Sequence, residues 1–282
     1  MLKIALPNKG SLSEGAIRLV SEAGYNCKRY GRELKIIDTA NDVEFIFLRP
    51  RDIAIYVSNG ILDLGITGRD LAIDSEANLA ELLSMGFAKS KFFYAVPNGS
   101  DLSPETFSGI TIATSYPNLV AGDLAKRNID AKIIRLDGAI EISINLGVAD
   151  AIADVVQTGR TMVEAGLKTV GGSVLDSEAV LVGRTGSVAD KDQVSVFIER
   201  LRGIIVAREY VMIEYDVEKE NLESACVVTP GIEAPTVAPL RKDNWYAVKS
   251  MIRKEEINRI MDELVKLGAK GIIATCIKTC RI

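Results

Sequence analysis

The stretch Asp154-Val155-Val156-Gln157-Thr158-Gly159-Arg160-Thr161 decides the fold class, because an apolar strand ends within it and a turn then opens a helix. The same strand-to-helix unit recurs towards the N-terminus, where strand patterns precede helical ones at residues 2–7, 43–48, 109–114 and 131–136. Strands that alternate with helices in this way are typical of parallel α/β sheets. We therefore expect an α/β fold for residues 1–203.

The pattern changes in the last part of the chain. Strand, helix, two strands, an amphipathic helix and a final strand follow one another at residues 210–216, 218–226, 236–240, 245–252, 254–267 and 271–277. The order β-α-β-β-α-β is the ferredoxin-like arrangement. We therefore predict a separate α+β domain over residues 204–282.

Composition limits the classes of function that the chain can have. Its 282 residues suggest two or three domains, and 48% hydrophobic with 26% charged residues is ordinary for a globular protein. A formal net charge of −4 argues against a dedicated nucleic-acid binder. The first residues are too short an apolar run for a signal peptide, and no segment has the apolar length of a membrane span. We expect a cytoplasmic protein without nucleic-acid or membrane partners.

The chain contains no histidine, which removes the commonest general base and the Ser-His and Cys-His nucleophile systems. Its four cysteines form no Cys-x-x-Cys pair and are expected to be free thiols. Chemistry must then rely on carboxylates, amines, guanidinium groups, backbone amides or a hard cation. Such groups suit a reaction driven by the positioning of phosphates and by electrostatics.

The turn at Thr158-Gly159-Arg160-Thr161 has the character of a phosphate site. Successive backbone amides and two hydroxyl groups would point to one place, and the glycine lets the backbone approach closely. An ordinary helix N-cap by Thr158 would explain one hydroxyl but not the whole pattern. The loop around Lys9 also leads from a strand into a helix, which favours either an anion site or a plain turn.

Charged side chains recur where strands end. Because the carboxyl edge of an open α/β sheet holds the ligand, these residues are candidates for ligand binding, with solvation as the alternative for each. They are Lys9, Arg49, Arg51, Arg69 and Asp70. Glu141 falls in the first turn of a predicted helix. Its carboxylate either complements the helix dipole or binds ribose hydroxyls or magnesium.

Several stretches together resemble the ATP phosphoribosyltransferase family. They occur in the family's order and span nearly the whole chain: Ala5-Leu6-Pro7-Asn8-Lys9-Gly10, residues 63–68, Ile112-Ala113-Thr114-Ser115-Tyr116-Pro117, residues 154–161, Thr229-Pro230-Gly231 and residues 235–240. Each one alone is a weak signal, but all of them in sequence are highly specific. Asn8 lies where members of the family vary.

The resemblance implies a reaction and an architecture. The family joins ATP and phosphoribosyl pyrophosphate (PRPP) with magnesium, giving phosphoribosyl-ATP and pyrophosphate as the first step of histidine biosynthesis. Its catalytic part is similar to the two-lobed periplasmic-binding-protein fold. We expect one lobe from residues 1–92 with 174–203 and the other from residues 93–173. The long form adds a ferredoxin-like (ACT-like) domain that binds L-histidine as an inhibitor, and members form dimers to hexamers.

The resemblance also implies that the loop from Asp154 to Thr161 holds the 5-phosphate of PRPP. From the positions of the charged residues we take Glu141 and Lys9 as the catalytic candidates. We expect Lys9, Arg49 and Asp70 to face the nucleotide or the pyrophosphate. No protein ligand of magnesium can be assigned.

A histidine effector needs a carboxylate for its ammonium group and donors for its carboxylate. The expected effector residues are Asp216, Ile232, Thr236, Met251 and Gly271. Asp216 would otherwise cap the helix predicted to begin near residue 218. The alternatives for the whole chain are a non-catalytic periplasmic-type binding protein and an amino-acid sensor.

Overall fold

The structure is a computed structural model that describes residues 1–29, 31, 33–156, 159–186 and 192–281. The chain divides into two compact units, Met1–Ser195 and Val196–Ile282. The division falls inside a continuous helix, Asp192–Glu209, rather than at the expected boundary near residue 204. No loop marks this boundary in the sequence, which explains the difference.

The first sheet of unit 1 has six strands in the order β2-β3-β1-β4-β11-β5. β1 pairs in parallel with β3 and β4, while β2, β11 and β5 are antiparallel to their neighbours. The elements are β1 (Leu2–Pro7), α1 (Gly10–Glu22), β2 (Lys35–Asp38), β3 (Val43–Leu48), α2 (Pro50–Ser58), β4 (Leu64–Gly68), α3 (Arg69–Asp74), β5 (Leu79–Ser84) and β11 (Ala179–Arg184).

The second sheet has five strands in the order β10-β6-β9-β7-β8. β7 is parallel to β8 and β9, and β6 is antiparallel to β9 and β10. The elements are β6 (Ser90–Pro97), β7 (Thr111–Thr114), α4 (Pro117–Arg127), β8 (Lys132–Arg135), α5 (Ile142–Asn145), β9 (Ala151–Val156), α6 (Arg160–Glu164) and β10 (Leu167–Ser177).

The two sheets are the cores of two lobes, and the chain crosses between them twice. β6 already begins at Ser90 and β10 runs to Ser177, so the crossings lie a few residues outside the expected boundaries at 92/93 and 173/174. A buried aromatic group fills the second lobe, where Tyr94 packs edge-on against Phe107 with ring centroids 5.2 Å apart. Burying each such ring contributes about 1.5–3 kcal/mol.

Unit 2 contains one antiparallel sheet in the order β13-β14-β12-β15, with helices packed on one face. Ile260 and Leu264 are the buried positions of its long helix, as an amphipathic pattern requires. The expected two-lobed α/β part and ferredoxin-like domain are confirmed. Helix α7 (Asp192–Glu209) contains the division between the units. The other elements of unit 2 are β12 (Tyr210–Glu218), α8 (Leu222–Val228), β13 (Thr236–Pro239), β14 (Trp245–Arg253), α9 (Ile257–Lys266) and β15 (Lys270–Cys276).

Within the described ranges, none of the helices combines the length and the apolar character that crossing a membrane would require.

Candidate active site

Three neighbouring parallel strands of the first sheet bring the expected cationic and acidic residues to one edge. Lys9 follows β1, Arg49 follows β3 and Asp70 follows β4. The backbone N–H of Asn8 donates to the carbonyl oxygen of Leu48 at 2.8 Å, which ties the first two loops together. Lys9 and Arg49 are exposed at this edge, so both can meet an anionic ligand.

The second sheet presents a matching edge. Its parallel strands β7, β8 and β9 lead into Tyr116, Glu141 and Gly159, and Asp154 lies on β9 itself. Both edges belong to unit 1, and charged groups from each influence the other electrostatically. The carboxyl edges of the two sheets therefore form the two sides of one cleft.

Asp70 is buried, with 7% of its surface exposed, and its carboxylate is bonded to protein groups. The Ser177 hydroxyl donates to Asp70 Oδ1 at 2.8 Å, and the Asp70 backbone N–H donates to Ser177 Oγ at 3.1 Å. Burial, followed by the charge of Asp70, raises the pKa of Tyr116. A carboxylate has about four acceptor sites, so Asp70 can keep its bond from Ser177 and still accept one from a ligand.

Arg51 links the two lobes. Its guanidinium donates to Asp74 Oδ2 at 2.7 Å within the first lobe and to the carbonyl oxygen of Ser115 at 2.8 Å in the second. Asp74 also accepts the backbone N–H of Asn118 at 3.0 Å, at the start of α4. Charge-assisted hydrogen bonds of this kind are short and geometrically specific. The Arg51–Asp74 pair therefore connects the two lobes next to the carboxyl ends of their strands.

Asp154 has the most informative ionisation in the cleft. Burial raises its pKa to about 6, and the charges of Glu141 and Asp70 act in the same direction. The backbone N–H of Val155, which donates to Asp154 Oδ1 at 2.7 Å, and the charge of Arg51 oppose the rise only in part. Asp154 therefore lies within electrostatic range of Glu141 and Asp70, and a cation or a hydroxyl donor there would stabilise its charged form.

Divalent-metal binding is compatible with this arrangement if the substrates provide most ligands. Among the described residues, no group of three or more Asp, Glu or Cys side chains is arranged to hold a metal ion. Magnesium usually keeps several waters and binds through one or two carboxylates together with substrate phosphates. Asp154 and Glu141 could supply such carboxylates.

The phosphate-type turn is built around Gly159, which has a φ of +72° and precedes α6. Among the described residues, a Cβ at this position would meet Val156 alone, at 3.8 Å, so the left-handed backbone conformation is what favours glycine here. The exposed Arg160 side chain donates to Glu164 at 2.7 Å. Thr161 lies in the first turn of α6, whereas the predicted contacts of Gln157 and Thr158 lie outside the described residues.

A cavity of about 830 Å³ adjoins this turn, with Val156, Gly159 and Ser177 in its wall. Arg69 also lines it, but its guanidinium is held by Glu81 at 2.7 Å and by Glu178. Bonding to Glu81 is the main cause that raises the pKa of Arg69. Arg69 therefore belongs to an ion-pair network of the protein.

In unit 2, the structure rejects the helix-cap interpretation of Asp216. β12 continues to Glu218, and Asp216 pairs with Ala247 and Lys270 within the sheet. A Cβ on Gly271 would lie 3.9 Å from Asp216 Oδ2, so these two expected effector residues are neighbours.

The other expected effector residues lie apart from this pair. Ile232 and Met251 line a cavity of about 580 Å³ that has neither Asp216 nor Gly271 in its wall. Thr236 is exposed on β13 opposite Lys249. Within a single chain, the five expected effector residues therefore do not line one common site.

Tyr116, Asp74 and Ser177 are site residues that the sequence reasoning did not select. Tyr116 follows a parallel strand in one of the quoted motifs, so the strand-end argument could have found it. Asp74 ends α3 and Ser177 ends an antiparallel strand 107 residues from its partner Asp70. Neither has a local signal in the sequence.

Comparison with known proteins gives a consistent assignment. Residues 49–203 match the family described as ATP phosphoribosyltransferase, and residues 207–279 match its C-terminal domain. The ATP phosphoribosyltransferase of Salinibacter ruber is 59% identical, and that of Pseudarthrobacter chlorophenolicus 55%, each with 100% of both chains covered. A solved ATP phosphoribosyl transferase (HisG:HisZ) complex from Thermotoga maritima contains a chain that is 27% identical, with a TM-score of 0.63, covering 73% of this chain and 98% of that one.

Proposed function

The chain belongs to the ATP phosphoribosyltransferase family, which joins ATP and PRPP in the first step of histidine biosynthesis, and we propose that its interlobe cleft holds both substrates. The C-terminal domain makes it the long form of this pentosyltransferase. One observation supports the cleft above the others. Asp154 comes within electrostatic range of Asp70 and Glu141 there, although the three residues are distant in sequence.

The phosphate turn from Asp154 to Thr161 anchors the 5-phosphate of PRPP in this proposal. Backbone amides around Gly159, in its left-handed conformation, offer donors to phosphate oxygens. Asp154 and Glu141 accept hydrogen bonds from the ribose hydroxyls. Lys9 and Arg49, exposed at the edge of the first sheet, stabilise charge on the pyrophosphate that leaves.

Little acid–base chemistry is needed. Adenine N1 is a neutral nucleophile that attacks C1 of the ribose, and the C1–oxygen bond breaks with its electron pair going to pyrophosphate. The residues act mainly by orienting two anionic substrates. Magnesium, when bound with the substrates, supplies positive charge to the pyrophosphate oxygens. Asp154 and Glu141 are the protein groups that would contact it.

The remaining expectations concern control and assembly. We propose that L-histidine binds unit 2 through Asp216 and Gly271 and inhibits the enzyme. Ile232, Met251 and Thr236 lie outside that pair in one chain, so a neighbouring subunit of a dimer or hexamer would complete the site. ATP and PRPP are the substrates, and the cytoplasm is the expected location.

The test is pyrophosphate release from ATP and PRPP in the presence of magnesium, together with PRPP binding by a Gly159→Val variant. A branched residue disfavours the conformation of Gly159 and impedes phosphate approach. We expect the variant to remain folded and to bind PRPP at least about tenfold more weakly. An unchanged PRPP dissociation constant in the folded variant would remove the turn from the site, and absence of pyrophosphate release by the parent protein would contradict the proposed function.

A further inference from the structure

Helix α4 of the second lobe begins with backbone donors that its own first turn does not satisfy. Within the described residues, its N-cap Tyr116 makes no side-chain capping bond, and Pro117 follows it without an N–H group to donate. The N–H of Val120 donates to the carbonyl oxygen of Tyr116 at 3.1 Å. The N–H groups of Asn118 and Leu119 precede that first intrahelical bond and need an acceptor from elsewhere.

Asp74, the last residue of α3 in the first lobe, is that acceptor. Its Oδ1 accepts the N–H of Asn118 at 3.0 Å and the N–H of Leu119 at 3.1 Å. In return, the Asn118 side-chain amide donates to the carbonyl oxygen of Asp74 at 2.7 Å, at the end of α3 where helix carbonyls have no intrahelical donor. Each lobe therefore caps a helix of the other lobe.

Arg51, in the first turn of α2, completes this connection. Its guanidinium donates to Asp74 Oδ2 at 2.7 Å and to the carbonyl oxygen of Ser115 at 2.8 Å, and it lies 5.0 Å from the centre of the Tyr116 ring. We call Arg51, Asp74 and Asn118 the interlobe joint. Asp74 is 4% exposed, so opening the joint would remove the cap of one helix and the charged partner of a buried carboxylate together, which is unfavourable.

The other end of α3 is bonded to the second lobe as well. Asp70 accepts a hydrogen bond from Ser177 Oγ at 2.8 Å, and Ser177 ends β10, just before the chain returns to the first sheet. At about 1.5 Å per residue, Asp70 and Asp74 are ~6 Å apart along the helix. Two points at which both lobes meet define a line, and a rotation about that line leaves both contacts intact.

We propose that the interlobe joint is the pivot of lobe closure, and that Arg51 and Asp74 are positioning residues for the reaction. Closure of the cleft is a rotation along α3 during which the joint stays formed. This inference rests on the proposed function, in which the phosphate turn belongs to the second lobe and Lys9 and Arg49 to the first. The rate then depends on how the two lobes are held, because a misplacement of about 1 Å at a reacting centre can lower a rate about a hundredfold.

The first test is the kinetics of the full chain carrying Asp74→Asn. The new side chain keeps an oxygen for the N–H groups of α4, which favours folding, but it loses the ion pair with Arg51. We expect kcat to fall roughly tenfold or more, while the dissociation constant of PRPP alone stays within about twofold, since one lobe anchors its 5-phosphate. The effect of Arg51→Ala should not multiply with that of Asp74→Asn, because both act through one joint.

Arg127→Ala is the matched control, because Arg127 lies at the other end of α4 and pairs with Asp123 at 2.8 Å within the second lobe. Its kcat should stay near that of the parent. If Arg51→Ala weakens binding of one substrate and its effect multiplies with that of Asp74→Asn, Arg51 binds that substrate and the proposal is overturned. An unchanged kcat in folded Asp74→Asn overturns it as well.

Hydrogen exchange in the parent protein tests the pivot without a variant and without turnover. The N–H groups of Asn118 and Leu119 should exchange slowly in the free protein, and their rates should change by less than about threefold when PRPP or ATP is bound alone. A gain or loss of protection on binding would make the contact a latch that forms or opens with closure, and would overturn the pivot. A parent protein that keeps this protection but releases no pyrophosphate would contradict the proposed function and leave the pivot standing.

Discussion

At the scale of single residues, burial of the charged Asp154 carboxylate in the candidate site destabilises the folded protein. Its pKa of about 6 lies above the ordinary value of 3.8, so the folded state holds the proton more tightly than the unfolded chain. The folded state is therefore stabilised by protonation, and this advantage is lost as the pH rises from about 4 through 6. Above that pH range, burial of the charged carboxylate lowers the free energy of unfolding.

Asp154→Asn should accordingly stabilise the protein at pH 7.5 by roughly 1–3 kcal/mol, after allowance for partial solvent screening, and weaken PRPP binding. The gain should disappear at about pH 3, where the parent carboxyl is largely protonated in both states. Urea unfolding at the two pH values measures this difference, with the exposed Asp101→Asn variant as control. Equal or lower stability of Asp154→Asn at pH 7.5 would show that the carboxylate is not destabilised by its surroundings.

The same scale shows how far the sequence could predict the site. Lys9, Arg49, Asp70 and Asp154 were selected because each follows or ends a predicted strand, and Glu141 because it lies in the first turn of a predicted helix. Both rules are local. The bonds made by Asp70 were not predictable, since they depend on where an antiparallel strand returns 107 residues later. Local sequence patterns indicate candidate residues, but contacts between residues distant in sequence determine which side chains remain available to a ligand.

At the scale of elements, the α/β alternation and the ferredoxin-like order were predictable because each strand and helix has its own periodicity. β10 was missed, since its burial does not alternate and its register shifts between Val170 and Leu175. β5 was missed too: no residue of it is fully buried. Strands that lack a buried face leave little pattern in a sequence.

Helix α7 provides a prediction at this scale. The backbone N–H of Cys280 donates to the carbonyl oxygen of Gly203 at 3.0 Å, and a Cβ on Gly203 would lie 2.9 Å from the Cys280 carbonyl oxygen. Alanine normally stabilises a helix interior by about 1 kcal/mol relative to glycine. Here Gly203→Ala should fail to stabilise, because the C-terminal segment must move away from α7.

A chain truncated after residue 277 is the matched background for this test. In it, Gly203→Ala should regain the stabilisation of about 1 kcal/mol, measured by thermal or urea unfolding. Hydrogen exchange at Cys280 in the full chain should also become faster in the variant. If Gly203→Ala stabilises the full chain as much as the truncated one, the close approach of the two segments has no energetic consequence.

At the scale of the whole molecule, the proposed histidine site in unit 2 leads to a prediction about coupling between the effector and the substrates. Coupling between an effector and a substrate is reciprocal, so histidine that lowers activity must bind more weakly when substrates favour the active state. PRPP and ATP should therefore raise the dissociation constant of L-histidine. Calorimetric titration of histidine with and without PRPP or ATP, each present alone so that no turnover occurs, tests this, and unchanged constants would contradict coupling through affinity.

Asp216→Ala locates that coupling on a named carboxylate. Asp216 lies on β12 beside Gly271, and loss of its charge should weaken histidine inhibition at least about tenfold, or ~1.4 kcal/mol for a charge-assisted contact. The rate without histidine should stay near that of the parent.

Glu214→Ala is the matched control, since Glu214 lies two positions earlier on the same strand and pairs with Lys249 at 2.7 Å on the surface. Only the Asp216 variant should shift the inhibition curve. If both variants are inhibited as strongly as the parent, the effector carboxylate lies elsewhere in the assembly.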